Sequence, residues 1–298
     1  SRRATGSNLA LNLFRCPNSA ATDRYPVRVT IRIVAVRRWM SLSIIALVVA
    51  SAAFAQDARL RRLNTGDDGR AWQAVGRLDI GGTGFCTGAL ITPDLVLTAA
   101  HCLFDKSTNE RIDHKTVEFL AGWRNGRASA YRNIRRAVVH PDYVFGGKVL
   151  SERVHYDLAL LELDQPIRNT AAIPFGTAAR PRKGDQVGVV SYAKDRSEAP
   201  SLQEVCVVLA RQEGVLVTSC SVDFGSSGAP IFTFKDGEAH IVSVVSAKAE
   251  VDGEKVSLGT ALGGPLARLR AEMVALKGSG RIQVDGARHD TGAKFIKP

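Results

Sequence analysis

Three residues in this chain have the types and settings that acyl transfer needs. They are Ser227 in Gly225-Ser226-Ser227-Gly228-Ala229-Pro230, His101 in Leu97-Thr98-Ala99-Ala100-His101-Cys102, and Asp157 in Asp157-Leu158-Ala159-Leu160-Leu161. A serine hydroxyl attacks a carbonyl readily only when a neighbouring base takes its proton, and an imidazole does this best when a carboxylate fixes its tautomer. A serine between small residues and glycines sits on a tight loop. Such a loop exposes the hydroxyl while aiming backbone N–H groups at one point, where an oxyanion would form. Each residue alone has a duller reading. Gly-Ser-Ser-Gly is a common hairpin turn, a histidine at a strand end is often structural, and an aspartate at a strand start is often a turn residue. The run after Asp157 is so apolar that it implies burial, however, and a buried carboxylate needs a partner.

The elements that must position these groups are short and extended. Apolar runs recur with turns between them: Trp72–Ile80, Phe85–Ile91, Leu95–Thr98, Thr116–Ala121, Arg135–Val139 and Asp157–Leu163 in the first part of the chain. Gln186–Ser191, Glu204–Ala210, Gly214–Cys220, Ala229–Phe234, Ala239–Ser246 and Lys255–Ala261 follow in the second. This spacing predicts an all-β fold, a sandwich or a pair of barrels. Pro265–Lys277 differs: Leu266, Leu269, Met273 and Leu276 recur at three- and four-residue steps, the mark of an amphipathic terminal helix. Residues 169–183, interrupted by Pro174 and Pro181, are where one subdomain would give way to the next.

Composition narrows the class. Of 298 residues, 45% are hydrophobic and 23% charged, as in ordinary globular proteins. The net charge of +11 is concentrated at one end, since residues 1–39 hold eight arginines and one aspartate. Nucleic-acid binding therefore gains little support from it. Arg37-Arg38-Trp39-Met40 leads into a short apolar stretch that ends in small residues at Ala53 and Ala55, so residues 36–55 read as a secretory signal peptide rather than an anchor. Residues 1–35 are expected to be a disordered upstream segment lying before the true start of synthesis, near Val36 or Met40. Residues 56–70 would be the mature N-terminus or a short pro-segment, residues 71–277 the folded domain, and residues 278–298 a flexible tail. Cys16 falls in the upstream segment. An exported chain is expected to pair its other four cysteines, Cys86, Cys102, Cys206 and Cys220. Of the three possible pairings, spacing favours the local ones, Cys86–Cys102 and Cys206–Cys220.

Taken together, the histidine, aspartate and serine segments resemble the three motifs of chymotrypsin-like serine proteases, in that family's order and over roughly Trp72 to Leu276. The resemblance implies two perpendicular antiparallel six-stranded β-barrels with a C-terminal α-helix, the site lying in the cleft between them. It implies Ser227 as nucleophile, His101 as base, Asp157 as its orienting carboxylate, and the N–H groups of Gly225 and Ser227 as the oxyanion hole. It also makes Cys86–Cys102 the bridge across the histidine loop. Two departures place the chain nearer to bacterial secreted members of the glutamyl-endopeptidase type. Ser226 stands where the digestive enzymes keep an aspartate for a freed N-terminal amine, and no Ile-Val-Gly-Gly start is present. Any activation must work differently; Arg59-Leu60-Arg61-Arg62 is a candidate processing site or simply a solvated basic segment.

The specificity pocket is expected to involve Ser221, Phe224 and Ser246. Ser221 replaces the aspartate of the trypsin group, and the strand Ser243–Ser246 lacks the histidine of glutamate-specific relatives, so the motifs support neither charge preference. His114, His140, His155, His240 and His289 show no ligand spacing, and neither a metal nor a cofactor is assigned. Arg124, Arg127, Arg132, Arg135 and Arg136 read as a solvated strand face. The expected protein is a secreted, monomeric serine endopeptidase acting on polypeptides, without a stable membrane anchor once its signal is removed. A non-catalytic binding protein on the same fold, or an esterase using the same three residues, are the alternatives.

Overall fold

The computed structural model describes residues 60–146, 150–178, 181–251 and 253–279. The upstream segment, the signal-peptide region, Cys16, Arg59, His289 and nearly all of the tail lie outside them. Twelve of the strands form two closed rings. The first is β2 (Val75–Ile80), β3 (Gly84–Thr92), β4 (Leu95–Thr98), β7 (Ala159–Leu163), β6 (Ala130–Val139) and β5 (Val117–Ala121), in that spatial order. The second runs β9 (Gln186–Ser191), β10 (Ser201–Gln212), β11 (Val215–Thr218), β14 (Glu254–Ala261), β13 (Glu238–Val251) and β12 (Pro230–Lys235), closing where Ile231 of β12 pairs with Val189 of β9. Every pairing within both rings is antiparallel. Two short strands are added outside: β1 (Arg61–Arg62) on β10 and β8 (Gly176–Thr177), parallel, on β13. The first ring's last strand ends at Leu163 and the second ring's first begins at Gln186.

Closing a sheet on itself buries alternate side chains inside and leaves the others for solvent or for covering elements. β7 is buried along its whole length, because its outer face lies under the C-terminal helix α2 (Gly263–Ser279). Glu162 on that strand is buried as a charge, and two cations satisfy it: Arg136 at 2.6 Å from β6 and Lys277 at 2.9 Å from α2. Leu266, Leu269 and Met273 of α2 are buried as the helical spacing predicts, while Leu276 is exposed.

The stretch after Leu60 proves part of the fold. Leu63 is fully buried and its N–H donates to Pro200 O at 2.9 Å. Burying that side chain stabilises the domain by about 2 kcal/mol. The core therefore begins before residue 71, and Arg61 and Arg62 are paired in the sheet rather than loose. The arginine run is also less solvated than its composition suggests. Arg124 donates to Thr65 O, Arg132 to Gln165 O and Arg135 to Asp164 O.

Candidate active site

The positions of His101 and Asp157 follow from one strand pairing. β4 and β7 are antiparallel neighbours, with Leu97 opposite Leu160 and Thr98 opposite Ala159. The end of one is thus beside the start of the other. His101 follows β4 in a single 3-10 turn, Ala100–Leu103, and Asp157 lies two residues before β7. A short helix, α1 (Leu150–Tyr156), delivers the aspartate, where the sequence suggested that the strand itself began. Asp157 is buried and its carboxylate is fully engaged. Oδ1 accepts the His101 backbone N–H at 2.8 Å, and Oδ2 accepts His101 Nδ1–H at 2.6 Å and the Ser246 hydroxyl at 2.5 Å. Because a carboxylate only accepts, the imidazole carries a proton on Nδ1, which in the neutral ring leaves the lone pair on Nε2. The Cys86–Cys102 disulfide ties the turn carrying His101 to β3.

The serine arrives from the second ring, on the loop between β11 and β12. Gly225 and Gly228 hold φ values of +96° and +79°, which only glycine adopts readily. A side chain at Gly228 would also strike Thr98 Oγ1 at 2.1 Å and Thr87 O at 2.3 Å, so the two barrels meet closely here. Thr87 of β3, fully buried, is the tie between them. Its N–H donates to Ser227 O at 2.8 Å, and its hydroxyl donates to Gly225 O at 2.9 Å and accepts from the Tyr192 N–H at 3.1 Å. Among the described residues, no hydrogen bond occupies the N–H of Gly225 or of Ser227. Ser226 is fully buried, and its hydroxyl bonds to Ser191 Oγ and Tyr192 O at 3.2 Å and accepts the Asp223 N–H at 3.3 Å. A neutral network thus fills the position where the digestive enzymes place a charge.

Ser227, His101 and Asp157 line one cleft of about 370 Å³ with Phe224 and Ser246. Ser221 is not on its wall; its N–H is held by Gln203 Oε1 at 2.7 Å, beside the Cys206–Cys220 disulfide. Ser243 points into the second barrel, bonding Thr260 O, so Ser246 is the serine of β13 that faces the site. Three cations, Lys106, Arg153 and Lys248, also line the cleft. They come from separate parts of the chain, and no motif announces them. Lys248 lies 4.4 Å above the Phe224 ring and 2.8 Å from Asp223, whose carboxyl is held below its ordinary pKa by that bond and by the Phe224 N–H. Burial, with the charge of Asp157 adding to it, pushes the Tyr143 phenol at the cleft wall well up, so it stays protonated.

The described acid and sulfur ligands offer one grouping with metal-like spacing, Cys86, His101 and Cys102, but both sulfurs are consumed in the disulfide. No helix among the described residues is long and apolar enough to cross a membrane.

Comparison with known proteins agrees with this architecture. The chain is 27% identical to a glutamyl endopeptidase of Bacillus licheniformis over 150 residues, which covers half of this chain and 45% of that protein. It is 40% identical to a modular serine protease of Drosophila melanogaster over 83 residues, 27% of this chain and 13% of that protein. A trypsin of Simulium vittatum is 28% identical over 190 residues, covering 54% of this chain and 69% of the trypsin. The first two alignments therefore span less than half of the relatives' own lengths. Among solved structures, a Glu endopeptidase in complex with MPD shares the fold with a TM-score of 0.61 at 17% identity, over 74% of this chain and 98% of that one. The profile of the trypsin-like peptidase domain matches residues 82–240, and with both barrels and the helix in place the chain belongs to the trypsin-like peptidase family.

Proposed function

We infer that the protein is a serine endopeptidase in which Ser227 attacks the peptide carbonyl, His101 moves the proton and Asp157 holds the imidazole. The observation that carries this reading is the doubly bonded His101–Asp157 pair facing the same cleft as Ser227. The Ser227 hydroxyl gives its proton to His101 Nε2 as its oxygen bonds to the carbonyl carbon. The developing oxyanion is met by the N–H groups of Gly225 and Ser227, an interaction worth about 3–4 kcal/mol per donor in such sites. His101 then protonates the leaving amine, and water reverses the sequence to free the acyl group.

The substrate chain has a place to bind. Gly228 N–H donates to Val245 O, and Val244 is the last β13 residue paired with β12, so the edge from Ser246 onward is open beside Ser227. An extended peptide can add there as a further strand. Lys106, Arg153 and Lys248 outnumber the carboxylates of Asp157 and Asp223 on the same walls, and this net positive charge favours an acidic side chain in the acyl half of the substrate, as the likeness to a glutamyl endopeptidase also suggests. Two disulfides fit an oxidising compartment, so export is part of the proposal.

The test is Ser227→Ala. Turnover of a peptide library should fall by about 10⁴–10⁶-fold with the fold intact, and a fluorophosphonate probe should label the parent protein but not the variant. Unchanged turnover in the variant would remove Ser227 from the mechanism, and a parent that neither labels nor cleaves would favour a binding protein on this fold.

A further inference from the structure

Two walls of the cleft are tied to each other by an ion pair. One wall is the loop Val222–Phe224, just before Ser227, and the other is the Val245–Lys248 stretch of β13. Lys248 Nζ donates to Asp223 Oδ1 at 2.8 Å and so links them. Both anchor points are fixed in the backbone. The Ser226 N–H donates to Asp223 O at 2.8 Å and the Asp223 N–H to Ser226 Oγ at 3.3 Å, which closes the turn. Lys248 is held opposite Ser257 of β14. The Phe224 ring lies 4.4 Å from the Lys248 ammonium and 5.8 Å from that of Lys106, which comes from the first barrel. What can move is the lysine side chain. Both charged side chains of the pair are about half exposed, so a carboxylate from solvent can reach the ammonium.

A peptide laid along the open edge from Ser246 puts its side chain nearest Ser227 between these two walls, where Lys248 already holds a carboxylate. We propose that Asp223 is an internal rival of the substrate, occupying Lys248 until an acidic side chain before the scissile bond takes the lysine from it. The exchange does not strand Asp223. Its carboxylate keeps the Phe224 N–H at 2.8 Å and still feels the positive charge of Arg196. An ammonium has three donors, but two carboxylates gathered on it repel each other, so sharing is weaker than exchange. A neutral side chain offers Lys248 nothing in return and leaves the pair closed. Asp223 therefore tempers the preference for acid that the cleft's cations create, and it does so through one lysine.

The proposal rests on the serine endopeptidase reading above, and the experiment separates the two. Two peptides that differ only in Glu or Gln before the scissile bond are compared by kcat/KM. Their ratio is taken on one enzyme sample, so a partly unfolded variant does not distort it. Asp223→Asn should raise the Glu-to-Gln ratio about fivefold, the scale of a half-exposed ion pair, with the gain appearing in KM for the Glu peptide. Lys248→Met should lower the ratio about fivefold or more, and adding Asp223→Asn to it should then move the ratio less than about twofold. A ratio that Asp223→Asn leaves alone or lowers overturns the proposal. So does an equal gain in the Lys248→Met background, which would make Asp223 a repelling charge with no part in holding the lysine. Cleavage of a peptide library without turnover of either test peptide also overturns it, and all three results leave Ser227 catalysis standing. A parent protein that cleaves nothing removes both readings.

Discussion

The two barrels contribute unequally to the site. The first supplies the proposed base and its carboxylate from one strand pair, β4 against β7, where antiparallel geometry brings His101 and Asp157 together. The disulfide beside His101 then stiffens a pair that is already local. The second barrel supplies Ser227 from a loop with two left-handed glycines, and nothing in that barrel alone aims the hydroxyl at an imidazole. The aim comes from contacts that cross between barrels: Thr87 to Ser227 and Gly225, Thr87 to Tyr192, and Ser246 to Asp157. In the proposed mechanism, preorganisation is thus built within one barrel for the proton relay and across two for the nucleophile.

The largest expected effect probes the local half. Asp157→Asn preserves shape but can present an N–H to His101, which leaves the imidazole in the wrong tautomer. Turnover should fall by about 10⁴-fold, with little change in fold or KM. A loss under tenfold, measured on the same peptide, would mean that the carboxylate does not govern the relay. The next effect probes the crossing half. Thr87→Val keeps the size of the side chain but strands the Tyr192 N–H and the Gly225 carbonyl, both of which the hydroxyl now serves. Leaving such groups unsatisfied costs about 1–3 kcal/mol of stability. Slight displacement of the Gly225–Ser227 loop should lower kcat by about 10- to 100-fold with KM nearly unchanged. Should kcat hold while only stability falls, the tie between barrels is structural and Ser227 is aimed by something else.

This asymmetry also explains what the chain revealed before its fold was known. His101 and Asp157 adjoin apolar runs whose strands are legible from composition, and β4 and β9 fall where the pattern puts them. Helix α1 is not legible. It has seven residues, among which Val154 is buried, and that is too few for a helical period to show. The small strand β1 carries two exposed arginines, so only Leu63 marks that segment as part of the core. Thr87 was a missed signal: a polar residue between a bridging cysteine and the run Gly88–Ile91 has to satisfy its hydroxyl inside the protein. The cationic cleft could not be read at all, since Lys106, Arg153 and Lys248 meet only through the tertiary fold.

The smallest expected effect lies behind the relay. His140 is buried against Tyr156, the residue before Asp157, with their rings stacked at 4.8 Å, and its Nδ1 accepts the Asp142 N–H at 3.3 Å. Burial holds its pKa below the ordinary 6.5; the Asp142 carboxylate opposes this, while His155 and Arg268 add to it. The folded protein therefore binds fewer protons at this site than the unfolded chain in the window between the lowered folded pKa and about 6.5. Stability is fully present above that value and declines as pH falls towards the lowered folded pKa, with a slope that one proton limits to about 1.4 kcal/mol per pH unit. His140→Gln keeps an acceptor for the Asp142 N–H but cannot titrate. Between pH 7 and pH 5 its melting temperature should fall less steeply than that of the parent, and the difference between the two curves isolates this group from other titrating side chains. Parallel curves would show that the ring takes up its proton as easily folded as unfolded, and that the base of the Asp157 turn is open to water on the side away from the cleft.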